Sequence, residues 1–160
     1  MMNVQIICVG KLKEKFYLDA VKEYEKRLAG CCKLQILELA EERLPDDPSP
    51  AQIQAALAKE RDAVKGKIAK GATVVALCIE GKELSSTQLA EKISSWGVSG
   101  VSQLTFLVGS SYGMHPELKE LASFRLSMSP MTFPHHLARV MLLEQIYRAF
   151  KINEGSKYHK

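Results

Sequence analysis

The chain predicts an α/β fold, a mainly parallel sheet with helices on both faces. Short apolar runs rich in β-branched residues alternate with longer stretches whose apolar residues recur at helical spacing, the pattern of successive strand–helix units. Those runs are continuous rather than alternating, so both faces of each strand are buried, as in a parallel sheet covered on two sides. At 160 residues the chain is long enough to bury a real core as one domain, 1–160.

Val4–Val9 is the first buried strand and stops at Gly10. Phe16, Ala20, Tyr24 and Leu28 then repeat at near-helical spacing, with Gly30 as a helix stop. Leu34–Leu39 reads as the second strand, and the acidic, Pro-containing Glu41–Pro50 as a loop. Ser49 before Pro50 is a helix start, a cap followed by a preorganised first turn. That helix carries Ile53, Leu57, Val64 and Ile68 as a narrow stripe among many charges, so it is expected to stay well exposed. Thr73–Ile79 is the strongest strand signal, β-branched and bounded by Gly71 and Gly81. Ser85 and Gln88 form a capping box for a helix running to about Trp96. Leu104–Val108 is a further buried strand that runs into Gly109-Ser110-Ser111-Tyr112-Gly113. Pro116 opens a short helix to Ala122, Leu126–Met128 is the last strand, and Pro134 or His135 opens the terminal helix.

No apolar run approaches the roughly 20 residues of a membrane span. Met1–Lys11 lacks the charged head and cleavage site of a secretion signal, so a cytoplasmic protein is expected. Cys8, Cys31, Cys32 and Cys78 have no metal-binding spacing, and no metal is expected. Cys8 and Cys78 sit in apolar runs, where a free thiol packs as a small hydrophobe.

The net charge of +4 is not spread evenly. Arg125, Arg139, Arg148, Lys151, Lys157 and Lys160, set against Glu144 and Glu154, account for all of it, and the preceding residues cancel. His135, His136 and His159 lie in the same stretch. Localised positive charge favours a phosphate-bearing partner.

Ligands of parallel sheets bind beyond the carboxyl ends of the strands. Three ends converge as candidates: Leu77–Gly81, Val108–Gly113 and Met128–Phe133. Pro130 and Pro134 fix φ and remove two backbone donors, so Met131–Phe133 is a rigid loop. His135 follows it at a helix start, with an ordinary pKa near neutrality that suits proton exchange. Arg139 and Arg148 are phosphate or carboxylate clamps by their chemistry, and either is also placed to pair with Glu144. The terminal helix carries Val140, Leu143, Ile146, Tyr147 and Phe150 on a broad apolar face that Leu137, Met141 and Leu142 widen. That is more apolar surface than one sheet contact uses. An isologous homodimer, helix against helix, is expected, with complete burial inside one subunit as the alternative.

Several segments together resemble the ribosomal large subunit methyltransferase H family of SPOUT-class enzymes. They are Leu107-Val108-Gly109-Ser110-Ser111-Tyr112-Gly113, then Leu126 through Arg139, then Glu144-Gln145-Ile146-Tyr147-Arg148, and the terminal Tyr158-His159-Lys160. The resemblance covers essentially the whole chain and is most specific in its last third. One departure is visible: many relatives have Gly-Gly-Pro-Glu-Gly where this chain has Gly109 to Gly113, so the outer glycines are kept and the middle of the loop is not.

The resemblance implies a C-terminal trefoil knot, which sequence patterning alone would not propose because true knots are nearly absent from proteins. It implies S-adenosylmethionine as cofactor and methylation at N3 of a pseudouridine in 23S rRNA; a small domain of modest net charge with no appended RNA-binding module points to assembled ribosomes as the substrate. Methyl transfer from a sulfonium requires no metal, since the electrophile carries its own charge and leaving group. The cofactor pocket it implies is formed by Leu77, Gly109, Met128, Ser129, Pro130, Met131, Thr132 and Phe133. His135, Arg148, Tyr158 and His159 are the expected catalytic residues, and Arg139, Lys157 and Lys160 the expected RNA contacts. A terminal tail is frayed by default, and one that closes over an RNA base is the family-supported alternative. The runner-up is a non-enzymatic RNA- or ribosome-binding protein with a basic C-terminus, which has no reason to bind the cofactor. A His-dependent hydrolase lacks a convincing nucleophile motif, because Ser110 or Ser111 with a remote histidine is too generic.

Overall fold

A computed structural model describes all residues, Met1–Lys160. Its elements in chain order are β1 (Asn3–Val9), α1 (Lys15–Leu28), β2 (Lys33–Leu39), α2 (Pro50–Lys65), β3 (Thr73–Glu83), α3 (Ser86–Val98), β4 (Gln103–Val108), α4 (Pro116–Leu121), β5 (Phe124–Ser127) and α5 (His135–Asn153). All five strands are parallel and form one sheet in the order β2-β1-β4-β3-β5. The α/β class and the parallel sheet agree with the expectation from continuous apolar runs.

Successive strand residues point to opposite faces, and each face has its own cover. Val4, Ile6 and Cys8 of β1 pack with Phe106, Val75 and Leu126 under α1, α3 and α5. Ile7 and Val9 pack with Val74, Ala76 and Leu107 under Val64 of α2 and Leu118 of α4. Cys8 is fully buried, and burial pushes its thiol up to about 12, the behaviour of a small hydrophobe rather than a nucleophile.

Both expected caps are built. Ser49 and Ser85 each accept from the backbone N–H of Gln52 and Gln88, and each glutamine answers the serine's own N–H. The helix of Ser49 buries only Ala56, Leu57, Glu60 and Val64, which fits its expected exposure, and it ends before Ile68. No helix is long and apolar enough to cross a membrane.

Two strands differ from their sequence reading. β3 continues past Ile79 to Glu83, and its pairing with β5 slips so that both Leu77 and Lys82 face Leu126. Residues 78–81 are looped out between those pairings. Glu80-Gly81-Lys82 has turn chemistry, which hides the resumed strand. β5 starts at Phe124 and ends at Ser127, before Met128, because the neighbouring β3 edge supplies its ladder from Val75 onward.

α5 runs back across the α1–α3 face and buries Arg139, Leu142, Leu143, Ile146 and Ala149. Leu137, Val140, Met141, Tyr147 and Phe150, the rest of its apolar surface, stay only half-buried.

Candidate active site

A cavity of about 730 Å³ opens beyond the carboxyl ends of β3, β4 and β5. The looped-out Cys78, Ile79 and Glu80 form one wall, the Val108–Gly113 turn a second, and the segment from Met128 to Ala138 a third. Leu77, Gly109, Met128, Ser129, Met131, Thr132 and Phe133 all line it, as does His135. Pro130, placed with them on the sequence, lies in the same loop but does not line the cavity.

The walls are held locally. A Cβ at Gly109 would overlap the Gly113 carbonyl, so the turn closes only around a glycine. Ser110 and Gly113 exchange backbone hydrogen bonds of 2.9 Å across it. In the middle of the turn, the Ser111 hydroxyl donates to Glu41 at 2.7 Å, tying the turn to the loop after β2. On the third wall the Met131 N–H donates to the Ser129 hydroxyl at 2.9 Å. Lys119 pairs with Glu80 at the rim, and that contact holds the Glu80 carboxyl below its usual range.

His135 begins α5 directly under Pro134. Its Nε2 is buried without a hydrogen-bond partner, 3.2 Å from where a Gly10 side chain would begin. Burial, then the neighbouring His136, push its pKa below the ordinary histidine value, and Glu41 opposes them. The imidazole is therefore neutral at pH 7, with a ring nitrogen free to accept a proton. An unpaired buried nitrogen works against stability, which points to function rather than packing.

Arg139, expected to contact RNA, finds no RNA-facing surface: it is 1% exposed. Its guanidinium donates to Glu38 at 2.5 Å and to the Gly10 carbonyl at 2.9 Å. The residue ties the first turn of α5 to the ends of β1 and β2 and so fixes where His135 stands. Its partner is Glu38 rather than Glu144.

Arg148, Tyr158 and His159 come together around Glu144. Arg148 donates to that carboxylate at 2.8 Å, and the Tyr158 and Tyr24 hydroxyls donate to it at 3.0 and 2.6 Å. Burial acts to raise the Glu144 carboxyl, but the bonds from Tyr24, Arg148 and Tyr158 outweigh it and hold the group below the usual range. Burial and the same carboxylate raise Tyr158, so its phenol remains protonated, and they push Tyr24 up to about 12. Arg148 also packs over the Tyr158 ring, 4.6 Å from its centre. Its Nη1 lies 3.0 Å from His159 Nδ1. Arginine only donates, so Nδ1 accepts and the ring proton of His159 sits on Nε2. Lys157 and Lys160 are exposed and form no ion pair.

The four expected catalytic residues thus fall into two groups. His135 and Arg148 are thirteen residues apart on one helix, roughly 20 Å at 1.5 Å per residue. Tyr24 and the hub role of Glu144 were not foreseen, although the i,i+4 spacing of Glu144 and Arg148 was a legible signal. No cluster of three or more His, Cys, Asp or Glu side chains is placed to hold a metal ion.

Residues 2–159 match a family model described as a predicted SPOUT methyltransferase. A ribosomal RNA large subunit methyltransferase H from Bifidobacterium animalis subsp. lactis is 48% identical over 99% of this chain and 100% of its own length. A putative ribosomal RNA large subunit methyltransferase H from Methanococcus maripaludis is 46% identical over the same shares. Among solved structures, a probable methylase family protein from Haemophilus influenzae superposes with a TM-score of 0.54, covering 99% of this chain and 71% of that one. At 14% identity, that likeness concerns the fold alone.

Proposed function

Because the chain belongs to the SPOUT methyltransferases, and to the ribosomal RNA large subunit methyltransferase H group within them, we propose that it methylates N3 of a pseudouridine in 23S rRNA. S-adenosylmethionine is the methyl donor and assembled cytoplasmic ribosomes are the substrate. The observation that supports this reading is the cavity at three strand ends, lined by all of the expected cofactor residues except Pro130.

The lining fits that cofactor. Leu77, Met131 and Phe133 offer apolar surface for an adenine ring, and Gly109 lets backbone approach closely. A cavity of about 730 Å³ is within the usual range for such ligands. When bound, S-adenosylmethionine supplies an electrophilic methyl group on a positively charged sulfur.

The chain's own residues supply the rest. His135, neutral through its burial, takes the N3 proton as the nucleophile forms. The His159 ring N–H is a donor matched to a carbonyl edge of a uracil ring, the Tyr158 hydroxyl, its proton given to Glu144, offers an acceptor to a ring N–H, and Arg148 positions both. Lys157 and Lys160, without ion pairs, are available to RNA phosphates.

Arg148, against which the tail packs, stands roughly 20 Å along α5 from His135, a long span for one nucleotide. A homodimer that packs the half-buried face of α5 on a second copy resolves this, with each tail serving the partner's cavity. A C-terminal trefoil knot within a single domain, 1–160, belongs to the same reading through the SPOUT family membership.

Equilibrium binding of S-adenosylmethionine tests the reading against a non-enzymatic RNA binder. Saturable binding that Gly109→Ala weakens at least tenfold is expected, and no binding by the folded native chain contradicts it.

A further inference from the structure

Four aromatic rings form a file from solvent to the cavity. Phe16 is 66% exposed at the start of α1, and its ring lies 4.4 Å from that of Tyr17. Tyr17 stands edge-on to His136 at 5.9 Å, and His136 lies 4.1 Å from His135, a cavity wall. Phe16 thus presents an open ring at the outer end of a file whose inner end is a cavity wall.

The loop that presents Phe16 is basic and rigid. Lys11, Lys13 and Lys15 are all exposed, against one acid, Glu14, in the same stretch. Lys15 pairs with Asp19 at 2.6 Å, whereas Lys11 and Lys13 form no ion pair. Glu14 stands 3.9 Å from His136. Gly10 turns the chain with φ of 111°, a conformation that glycine adopts freely. Its carbonyl is held by Arg139, and Leu12, buried below the loop, donates its N–H to Glu38 at 2.9 Å. The carboxylate that anchors the loop is thus the one that holds Arg139 of α5, so the loop and the start of α5 share one anchor.

We propose that this loop and its aromatic file form the track on which the single-stranded RNA flanking the target nucleotide lies, its bases stacking from Phe16 inward and its phosphates meeting Lys11 and Lys13. The proposal rests on the rRNA-methylating reading for its substrate. Stacking platforms bordered by cations are what single-stranded RNA recognises, and a bare apolar protein partner would have no use for the two unpaired lysines.

The test is direct binding of the fluorescently labelled full chain to short single-stranded polyuridine and to intact ribosomes at two salt concentrations. Because it reads binding, it stands whether or not methyl transfer is observed. Phe16→Ala should weaken binding to both by about 5- to 100-fold, and Phe16→Trp should restore it. Lys11→Ala with Lys13→Ala should lower the slope of log affinity against log salt by about one to two. S-adenosylmethionine binding should be unchanged in all three variants, which confirms a folded cavity. Affinity within twofold of the native chain in both the Phe16 and the lysine variants overturns the proposal. So does an effect on ribosomes with none on polyuridine, which marks a ribosomal protein contact, or a shift of Phe16→Ala to monomer, which marks a contact between copies.

Discussion

At Arg139 a residue read as a surface clamp is an interior strut. Removing it leaves Glu38 beside an empty buried site and frees the Gly10 carbonyl. Arg139→Ala should cost about 2–4 kcal/mol in urea unfolding, somewhat below a fully buried pair because Glu38 is one-third exposed. Arg139→Lys should recover little of it, since an ammonium does not bridge both acceptors. The sequence could not reveal this, because the partner lies 101 residues away and helical periodicity says nothing about which polar residue a distant loop will satisfy.

His135 carries a second prediction at the same scale. Its folded-state pKa is depressed, so the imidazole is neutral above the ordinary histidine value of about 6.5. Turnover should hold as pH falls through that value and drop only below it. Stability moves the same way: it is fully present above the unfolded pKa and declines as pH falls through the lower folded pKa. His135→Ala should lower kcat by roughly 100- to 10,000-fold while S-adenosylmethionine binding persists. An acid limb at or above the ordinary value in the kcat profile would count against His135 as the proton acceptor.

Among the elements, strands were the most legible part of the chain. β1, β2 and β4 are short, predominantly apolar runs, and their ends lie within a residue of the pattern. Both capping serines fix their helices from two residues each. What stayed hidden is the resumption of β3 after Ile79, where Glu80-Gly81-Lys82 mimics a turn while the β5 edge rebuilds the ladder. That looped-out segment is one wall of the cavity, so the site's outline was visible as three strand ends but its shape was not. In the middle of the Gly109–Gly113 turn the structure gives Ser111 a hydrogen bond to Glu41. Glu41→Gln leaves an acceptor and should change stability by less than about 1 kcal/mol.

The C-terminal tail is held on α5 by exposed and half-buried contacts to Glu144 and Arg148. Deleting Tyr158–Lys160 should therefore leave the melting temperature nearly unchanged, spare cofactor binding and abolish methyl transfer to ribosomes. Full transfer by the truncated chain would remove the tail from the mechanism.

For the whole molecule, summed charge concealed as much as it revealed. The excess in the last 36 residues is real, yet the zero balance before it hides a basic stretch, Lys11–Lys15, and an acidic one, Glu41–Asp47. The division of the catalytic groups along α5 is likewise a property of the folded whole, because the sequence lists His135 and Tyr158 without their separation. If a second copy supplies the tail, His135→Ala mixed with the tail-deleted chain should regain about a quarter of native activity, as random pairing leaves one intact composite site in half of the dimers. No recovery, with mixed dimers shown to form, would place both groups in a single copy's reach.

The central claim is methyl transfer to ribosomal RNA, and its most direct measurement is transfer of a labelled methyl group from S-adenosylmethionine to intact ribosomes lacking the native modification, followed by digestion to locate the label. Label on N3 of one pseudouridine in 23S rRNA is the predicted result. Ribosomes that remain unlabelled while a control methyltransferase modifies the same preparation would contradict it.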